Sequence, residues 1–245
     1  MLIKNLIVNG CSFTYETPES WASHLRWHLD VPFYRNLAFS GAGNRYICDS
    51  TIEFLESNDF VPEDTLVVVM WSGVGRQDYR ISKEWYDYFM EHYGFASDFV
   101  KDSYYLFSGG RAAGWLNNRD TKQAFEDFYR VVDEKSLCKE SLLHFISLEN
   151  YLTAKGYNFK FTSYFDYWKE RSINEISGDS CIPFHCKDDP LYNNYDRKHW
   201  IDVECLGDWT WQNNLMDNTQ HPTREGHNHW LYQIALSNLI NDIHM

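Results

Sequence analysis

The amino-acid sequence predicts an α/β fold, in which helices cover both faces of a central parallel sheet. Three observations support this prediction: short apolar runs typical of buried strands, amphipathic segments that follow them, and turn residues between the two. Alternating strands and helices form parallel sheets because each crossover helix packs back onto the sheet. We expect a single domain over residues 1–245.

The predicted strands are short apolar segments that end at turn residues. The first ends at Asn9-Gly10, and the third contains Leu-Val-Val-Val-Met, the strongest strand pattern in the chain. The four segments are 2–8, 32–38, 65–71 and 157–164.

The predicted helices carry apolar residues at four-residue steps. Thr17 as N-cap, with Pro18 in the first helical position, predicts the start of the first helix. Gly156 is typical of the residue that follows a helix, here the helix predicted at 136–155. Further helices are predicted after residue 44 and from about residue 224.

An aromatic-rich segment at about 76–135 breaks this alternation, and we predict an insertion or cap there. Its aromatic side chains could fill a core, cover a site or stack on sugar rings.

The charge and hydropathy of the chain exclude several partners. A net charge of −13 disfavours a broad nucleic-acid-binding face or an anionic membrane surface. No segment approaches the ~20 apolar residues of a membrane span, and the N-terminal apolar run is too short for a signal peptide. We therefore expect no nucleic-acid partner, no membrane span and a cytoplasmic location, and we leave the oligomeric state open.

Ser12 directly follows the Gly10-Cys11 pair at the end of the first predicted strand. Parallel sheets bind ligands beyond the carboxyl ends of their strands, so this hydroxyl is expected at the ligand edge. Nearby backbone N–H groups can there face a developing oxyanion. The alternative is a serine that only forms a tight turn.

His221 precedes Pro222 at the mouth of the last predicted helix. A serine hydroxyl is a weak nucleophile and needs a base to take its proton. The imidazole in turn needs an acceptor that fixes its tautomer, and Asp217 or Asn218 could supply it. The alternative is a surface or capping histidine.

Three segments together resemble the blocks of the SGNH/GDSL hydrolase family. Residues 10–13 (Gly-Cys-Ser-Phe) are similar to the first block, residues 36–44 to the second, and His221-Pro222 to the last. These segments occur in the family's order and are spread over nearly the whole chain, although only a few residues carry the resemblance.

The resemblance implies a flavodoxin-like three-layer α/β/α sandwich and a serine acyl-hydrolase without metal or cofactor. It implies Ser12 as nucleophile and His221 as base. The oxyanion hole would use the N–H groups of Ser12 and of a glycine in the second block, with Gly41 the better match and Gly43 the second.

The sequence departs from the family pattern in two places. The third block should carry an oxyanion asparagine after the central strand, but here Trp71-Ser72 follows and Ser72, its neighbouring N–H groups or Arg76 must substitute. A Trp-Ser segment followed by Arg resembles divergent members associated with phages and bacteria. The usual Asp-x-x-His spacing places Asn218 where the acid belongs; we slightly favour Asp217, and a backbone carbonyl is a third candidate.

We predict an ester hydrolase that acts on a small acyl ester or an acylated sugar. Asn44, Arg76 and Asp78 border the expected site and are the predicted substrate contacts. The alternatives are an acyltransferase of the same fold, an inactive module that binds carbohydrate or is structural, and a flavodoxin-like nucleotide binder.

The cysteines suggest a zinc site only weakly. Cys181, His185 and Cys186 are loosely spaced, and no second paired motif accompanies them. We expect no metal.

Overall fold

The computed structural model describes residues 3–15, 17–80, 131–168 and 189–240, and in addition 82–84, 87, 91, 100–101, 105–107 and 127. Its strands are β1 (Asn5–Asn9), β2 (Phe33–Asn36), β3 (Thr65–Trp71), β4 (Asp78–Arg80), β5 (Val100–Lys101), β6 (Tyr105–Phe107) and β7 (Asn158–Ser163). Its helices are α1 (Trp21–Leu29), α2 (Asn44–Glu56), α3 (Glu134–Lys155), α4 (Pro190–Asn194), α5 (Leu206–Gln212), α6 (Arg224–His229) and α7 (Leu236–Ile240). A 3₁₀ turn covers Pro62–Asp64, and a π-helical stretch, Trp230–Ala235, joins α6 to α7.

Within the described residues, β2, β1, β3 and β7 form a parallel sheet in that order. The chain crosses from β1 to β2 through α1 and then returns to β3 through α2. Because such crossovers are right-handed, the two helices lie on opposite faces of the sheet. The helix α3 packs beside α2, and the helices at the C-terminal end pack beside α1. The predicted three-layer α/β/α fold is thereby confirmed.

The core lies on both faces of the central strands. Every residue of β3 is buried, as its continuous apolar run predicts. On one face Trp71 packs against Phe145 of α3, with ring centroids 4.6 Å apart. On the other, Trp21 of α1 meets Trp230 of the π-helical stretch edge-on at 5.9 Å. The first contact joins α3 to the sheet, and the second joins α1 to the π-helical stretch that packs beside it.

The start of α1 differs from the prediction. The helix begins at Trp21, and its N-cap is Ser20, whose Oγ accepts the Ser23 N–H. Thr17 instead supplies its backbone carbonyl, which accepts the Ser20 N–H and the Ser23 hydroxyl. Gly156 follows α3 with φ of 79°, a left-handed conformation that suits glycine, as predicted.

The aromatic-rich insertion predicted at 76–135 lies mostly outside the described residues and stays a prediction. Of the residues that are described there, β4, β6 and β5 form a small antiparallel sheet in that order. No helix in the described part of the chain is long and apolar enough to cross a membrane.

The N-cap assignment predicts different effects for two similar substitutions. We expect Ser20→Ala to lower the free energy of unfolding by about 1 kcal/mol, because the Ser23 N–H loses its acceptor. The matched control Thr17→Ala removes the hydroxyl that the sequence pattern favoured and should change stability by less than about 0.5 kcal/mol. Urea denaturation measures both, and an equal loss in the two variants would contradict the assignment.

Candidate active site

The carboxyl end of β1 turns sharply because Gly10 carries no side chain. A Cβ on Gly10 would lie 2.4 Å from Thr14 Oγ1 and 2.9 Å from the Met70 carbonyl oxygen. Real Cβ atoms are not found so close to backbone oxygen. Glycine therefore allows the loop after β1 to pack directly against β3.

Ser12 lies in the tight turn that follows Gly10. The Cys11 carbonyl accepts the N–H groups of Thr14 and Tyr15, at 2.9 and 3.0 Å. From β2, Asn36 Nδ2 donates to the Thr14 carbonyl at 2.7 Å. Bonds within the turn and a bond from β2 thus fix the conformation of the turn. Ser12 is half-buried at the edge of the sheet.

The structure brings Ser12 and His221 together across 209 residues, with Ser12 Oγ 2.9 Å from His221 Nε2. The other ring nitrogen, Nδ1, lies 3.1 Å from the Thr219 carbonyl oxygen. A carbonyl can only accept, so Nδ1 carries the proton and Nε2 has a free lone pair. The Ser12 hydroxyl therefore donates to Nε2, which is the arrangement that a general base requires.

The acceptor for His221 is not the side chain that we favoured. Asp217 Oδ1 accepts the Thr219 N–H at 2.7 Å, the Thr219 hydroxyl at 2.6 Å and the His221 N–H at 3.1 Å, so it binds the loop and not the ring. Asn218 is exposed, and no hydrogen bond joins its side chain to the ring. The third candidate, a backbone carbonyl, does contact the ring: the Thr219 carbonyl oxygen lies 3.1 Å from Nδ1, and the Thr219 hydroxyl oxygen lies at the same distance.

The backbone N–H groups of Ser12 and Gly41 have no acceptor among the described residues. The Phe39 N–H donates to the Gly10 carbonyl at 3.1 Å, so the loop that carries Gly41 runs beside the loop that carries Ser12. Gly41 has φ of 81°, which only glycine adopts easily. Its proposed oxyanion role remains compatible with this geometry.

The geometry argues against Gly43 as an oxyanion donor and against Asp78 as a substrate contact. Asp78 is buried, and its carboxylate accepts the Gly43 N–H at 2.8 Å and the Tyr46 N–H at 2.9 Å. Both N–H groups belong to the first turn of α2, where a carboxylate is favoured by the helix dipole. Asp78 therefore caps α2, and the Gly43 N–H is already used.

Ser72 and Asn44 also have other partners. Asn44 Oδ1 accepts the Ser72 N–H at 2.8 Å, and Asn44 Nδ2 donates to Ser141 Oγ at 3.0 Å. The Ser72 carbonyl accepts the Tyr167 hydroxyl. This buried network joins the end of β3 to α2 and α3 and uses the Asn44 side chain and the Ser72 N–H. The Ser72 hydroxyl is buried and has no hydrogen-bond partner among the described residues, so its predicted oxyanion role stays a prediction.

A row of ring contacts leads from His221 through Phe13 and Tyr164 to Arg76. The Phe13 ring lies 5.3 Å from the His221 ring and 4.8 Å from the Tyr164 ring. The Arg76 guanidinium lies over Tyr164, at 5.5 Å from the ring centre. Arg76 thus lies beside the aromatic ring that contacts Phe13, and its role at the site and its contact with substrate stay predictions.

The surroundings of His221 lower its pKa below the ordinary value. Burial is the main cause, and the Arg76 charge acts in the same direction. The hydrogen bond to the Thr219 carbonyl and the Asp217 charge oppose it. His221 is therefore neutral, and able to accept a proton, at neutral pH.

Sequence reasoning missed Thr219 and Tyr164. Backbone carbonyls have no sequence signature, and Tyr164 had been placed only at the end of a strand. Cys181, His185 and Cys186, which we weighed as zinc ligands, lie outside the described residues.

No protein-family model and no curated protein sequence matches the chain. Among solved structures, it is similar to the psychrotrophic esterase EstA from Pseudoalteromonas sp. inhibited by monoethylphosphonate. That alignment has 11% sequence identity and a TM-score of 0.49, and covers 98% of this chain and 100% of the esterase.

The electrostatic balance predicts how His221 titrates. In NMR titrations of the imidazole ring, we expect His221 to titrate below its ordinary pKa, and Arg76→Gln to raise that pKa because a nearby cation is lost. The control Arg45→Gln removes an exposed cation that pairs with Asp49 and should leave the His221 pKa unchanged. Equal His221 titration curves in wild type and Arg76→Gln would contradict this assignment.

Proposed function

We propose that this protein is a serine acyl-ester hydrolase, a divergent member of the SGNH/GDSL family. One observation carries the proposal: Ser12 Oγ donates to the unprotonated Nε2 of His221 at 2.9 Å, while Nδ1–H is held by a carbonyl. A nucleophile beside a base that a third group orients is the arrangement that serine hydrolases share.

In the first half of the reaction, Ser12 Oγ attacks the ester carbonyl carbon and Nε2 of His221 takes the hydroxyl proton. The carbonyl oxygen becomes an oxyanion, which accepts from the N–H groups of Ser12 and Gly41. When the tetrahedral intermediate collapses, the bond to the alcohol oxygen breaks. The imidazolium then gives its proton to that oxygen, and the alcohol leaves an acyl-serine.

In the second half, water attacks the acyl-serine while Nε2 takes one of its protons. Collapse of the second intermediate breaks the bond to Ser12 Oγ, which regains a proton from the imidazolium as the carboxylic acid leaves. An alcohol in place of water would make the enzyme a transferase. Product analysis with competing sugar acceptors separates these two outcomes.

Arg76 is our candidate for the group that stabilises the oxyanion in place of the missing asparagine. Its guanidinium is near enough to His221 to lower the imidazole pKa. The same positive charge favours an oxyanion formed next to that ring. With the Ser72 N–H bonded to Asn44, two N–H groups and this charge make up the proposed oxyanion site.

The substrate that we propose is a small acyl ester, with an O-acylated carbohydrate as the preferred class. Tyr15, three residues after Ser12, is 45% exposed. Its ring meets that of half-buried Phe39, two residues before Gly41, edge-on at 6.4 Å. An exposed ring beside one site loop and a half-buried ring beside the other favour a ring-shaped alcohol, because sugar faces pack well on aromatic faces.

Removing the nucleophile or the base should abolish turnover of p-nitrophenyl acetate. We expect Ser12→Ala and His221→Ala to reduce kcat/KM by at least about a thousandfold, because neither residue works without the other. A fluorophosphonate probe should label wild type, because Ser12 Oγ attacks the phosphorus, His221 takes the hydroxyl proton and fluoride leaves as the P–F bond breaks. It should not label Ser12→Ala. Mass spectrometry of the labelled peptide identifies the serine.

Cys11→Ala is the matched control, because it removes the thiol next to Ser12 in the same turn. We expect this variant to keep most of its activity, since the Cys11 thiol is fully buried. Equal rates in wild type, Ser12→Ala and His221→Ala would overturn the proposed function.

The proposed sugar contact predicts a change in KM that depends on the substrate. Tyr15→Ala should raise KM for an acetylated xylo-oligosaccharide by about two- to tenfold, since one ring contact is lost, and should leave p-nitrophenyl acetate nearly unaffected. Trp27→Ala removes another exposed aromatic side chain, near the C-terminal end of α1, and serves as the control. An unchanged KM for the sugar ester in Tyr15→Ala would count against the sugar platform.

A further inference from the structure

We infer that the Thr219 hydroxyl is a positioning group that connects the Asp217 carboxylate to His221. The observation behind it is a chain of short contacts: Asp217 Oδ1 to Thr219 Oγ1 at 2.6 Å, and Thr219 Oγ1 to His221 Nδ1 at 3.1 Å. The inference rests on the proposed function, because it assigns a role in activating the proposed base.

The direction of this chain follows from the chemistry of its members. An ionised carboxylate can only accept, so the single Thr219 hydroxyl proton points to Asp217. Toward His221, the hydroxyl oxygen then offers only a lone pair, and it accepts from Nδ1–H. That N–H is shared, because the Thr219 carbonyl oxygen also lies 3.1 Å from Nδ1.

Asp217 is ionised, as this role requires. Desolvation alone would raise the pKa of Asp217, but the hydrogen bonds from Thr219 and the His221 N–H outweigh it and hold the pKa below its ordinary value. A hydroxyl that donates to a carboxylate becomes a better acceptor, because hydrogen bonds in a chain polarise one another. The negative charge of Asp217, which already acts on the ring across space, therefore also reaches it through Thr219.

The contribution of this hydroxyl grows during the reaction. When Nε2 takes the Ser12 proton, the ring becomes an imidazolium, and the bond from Nδ1–H becomes charge-assisted. The Thr219 carbonyl supplies a neutral acceptor in every variant. The hydroxyl adds the link to a negative charge, so its removal affects the imidazolium more than the neutral ring.

One substitution removes the Thr219 hydroxyl and leaves the other hydrogen bonds of the loop in place. Thr219→Val replaces the hydroxyl by a methyl group of similar shape on an exposed residue. The other bonds of the loop do not use this hydroxyl: the N–H groups of Thr219 and His221 still donate to Asp217, and the Asp217 N–H still donates to the His221 carbonyl at 2.8 Å. Thr219→Ser restores the hydroxyl without the methyl.

The experiment is a double-mutant cycle on full-length protein: wild type, Thr219→Val, Asp217→Asn and the combination, with Thr219→Ser as the rescue. NMR titration gives the His221 pKa without substrate, and p-nitrophenyl acetate gives kcat/KM against pH. Thr219→Val should lower the His221 pKa, because an acceptor that stabilises the imidazolium is lost. It should lower kcat/KM by about three- to tenfold, and Thr219→Ser should recover both.

The double-mutant cycle shows whether Asp217 acts on His221 through Thr219 or whether the two residues act on the His221 pKa independently. If Thr219 carries the charge, Asp217→Asn lowers the His221 pKa less in the Thr219→Val background than in wild type. An unchanged pKa in Thr219→Val, equal effects in both backgrounds, or a fall in melting temperature alone would overturn the inference. Because the titration needs no turnover, it decides the role of Thr219 even if the esterase proposal fails.

Discussion

The side chain of Asn9 ties the carboxyl end of β1 to α2, and the site depends on this connection. Asn9 is fully buried, and the two protons of its Nδ2 are shared among three acceptors: the Ile47 carbonyl at 3.1 Å and the hydroxyls of Ser50 and Thr51 at 2.9 Å each. Its Oδ1 accepts the Gly10 N–H at 2.8 Å. A buried amide is stable only when its polar atoms are paired, so α2 and the turn after β1 hold each other in place.

That constraint extends to the loop before α2, which brings Gly41 beside Ser12. The loop is held at one end by the bond from Phe39 N–H to the Gly10 carbonyl and at the other by Asp78, which caps the first turn of α2. Residues that we had assigned to substrate or oxyanion thus serve to position other groups. An oxyanion hole stabilises the transition state because its N–H donors are already in place before the reaction. Residues that hold the donor loops in position therefore contribute to the proposed site.

The sequence predicted the fold better than the contacts around the site. The β3 strand could be placed to the residue, because a strand buried on both faces leaves an uninterrupted apolar run. The pairing of Ser12 with His221 could be expected from the order of the blocks and from the rule that parallel strands end at one edge. The N-cap of α1 was misplaced because Thr17 and Ser20 are both good capping residues. The capture of the Gly43 N–H by Asp78 joins positions 35 residues apart and leaves no local pattern.

The position of the acid explains why a carbonyl holds the imidazole. Asp217 lies four residues before His221, one more than in the pattern that the chain resembles. The Asp217 N–H bonds the His221 carbonyl at 2.8 Å, and this closes the loop into a small ring whose N–H groups point inward at the carboxylate. The carboxylate is thereby satisfied within the loop, and the same curl turns the Thr219 carbonyl toward Nδ1. No hydrogen bond joins the Asp217 carboxylate to the ring, and burial is the main influence on the pKa of His221. Burial lowers that pKa, so it stabilises the neutral imidazole of the resting enzyme more than the imidazolium that forms in the transition state.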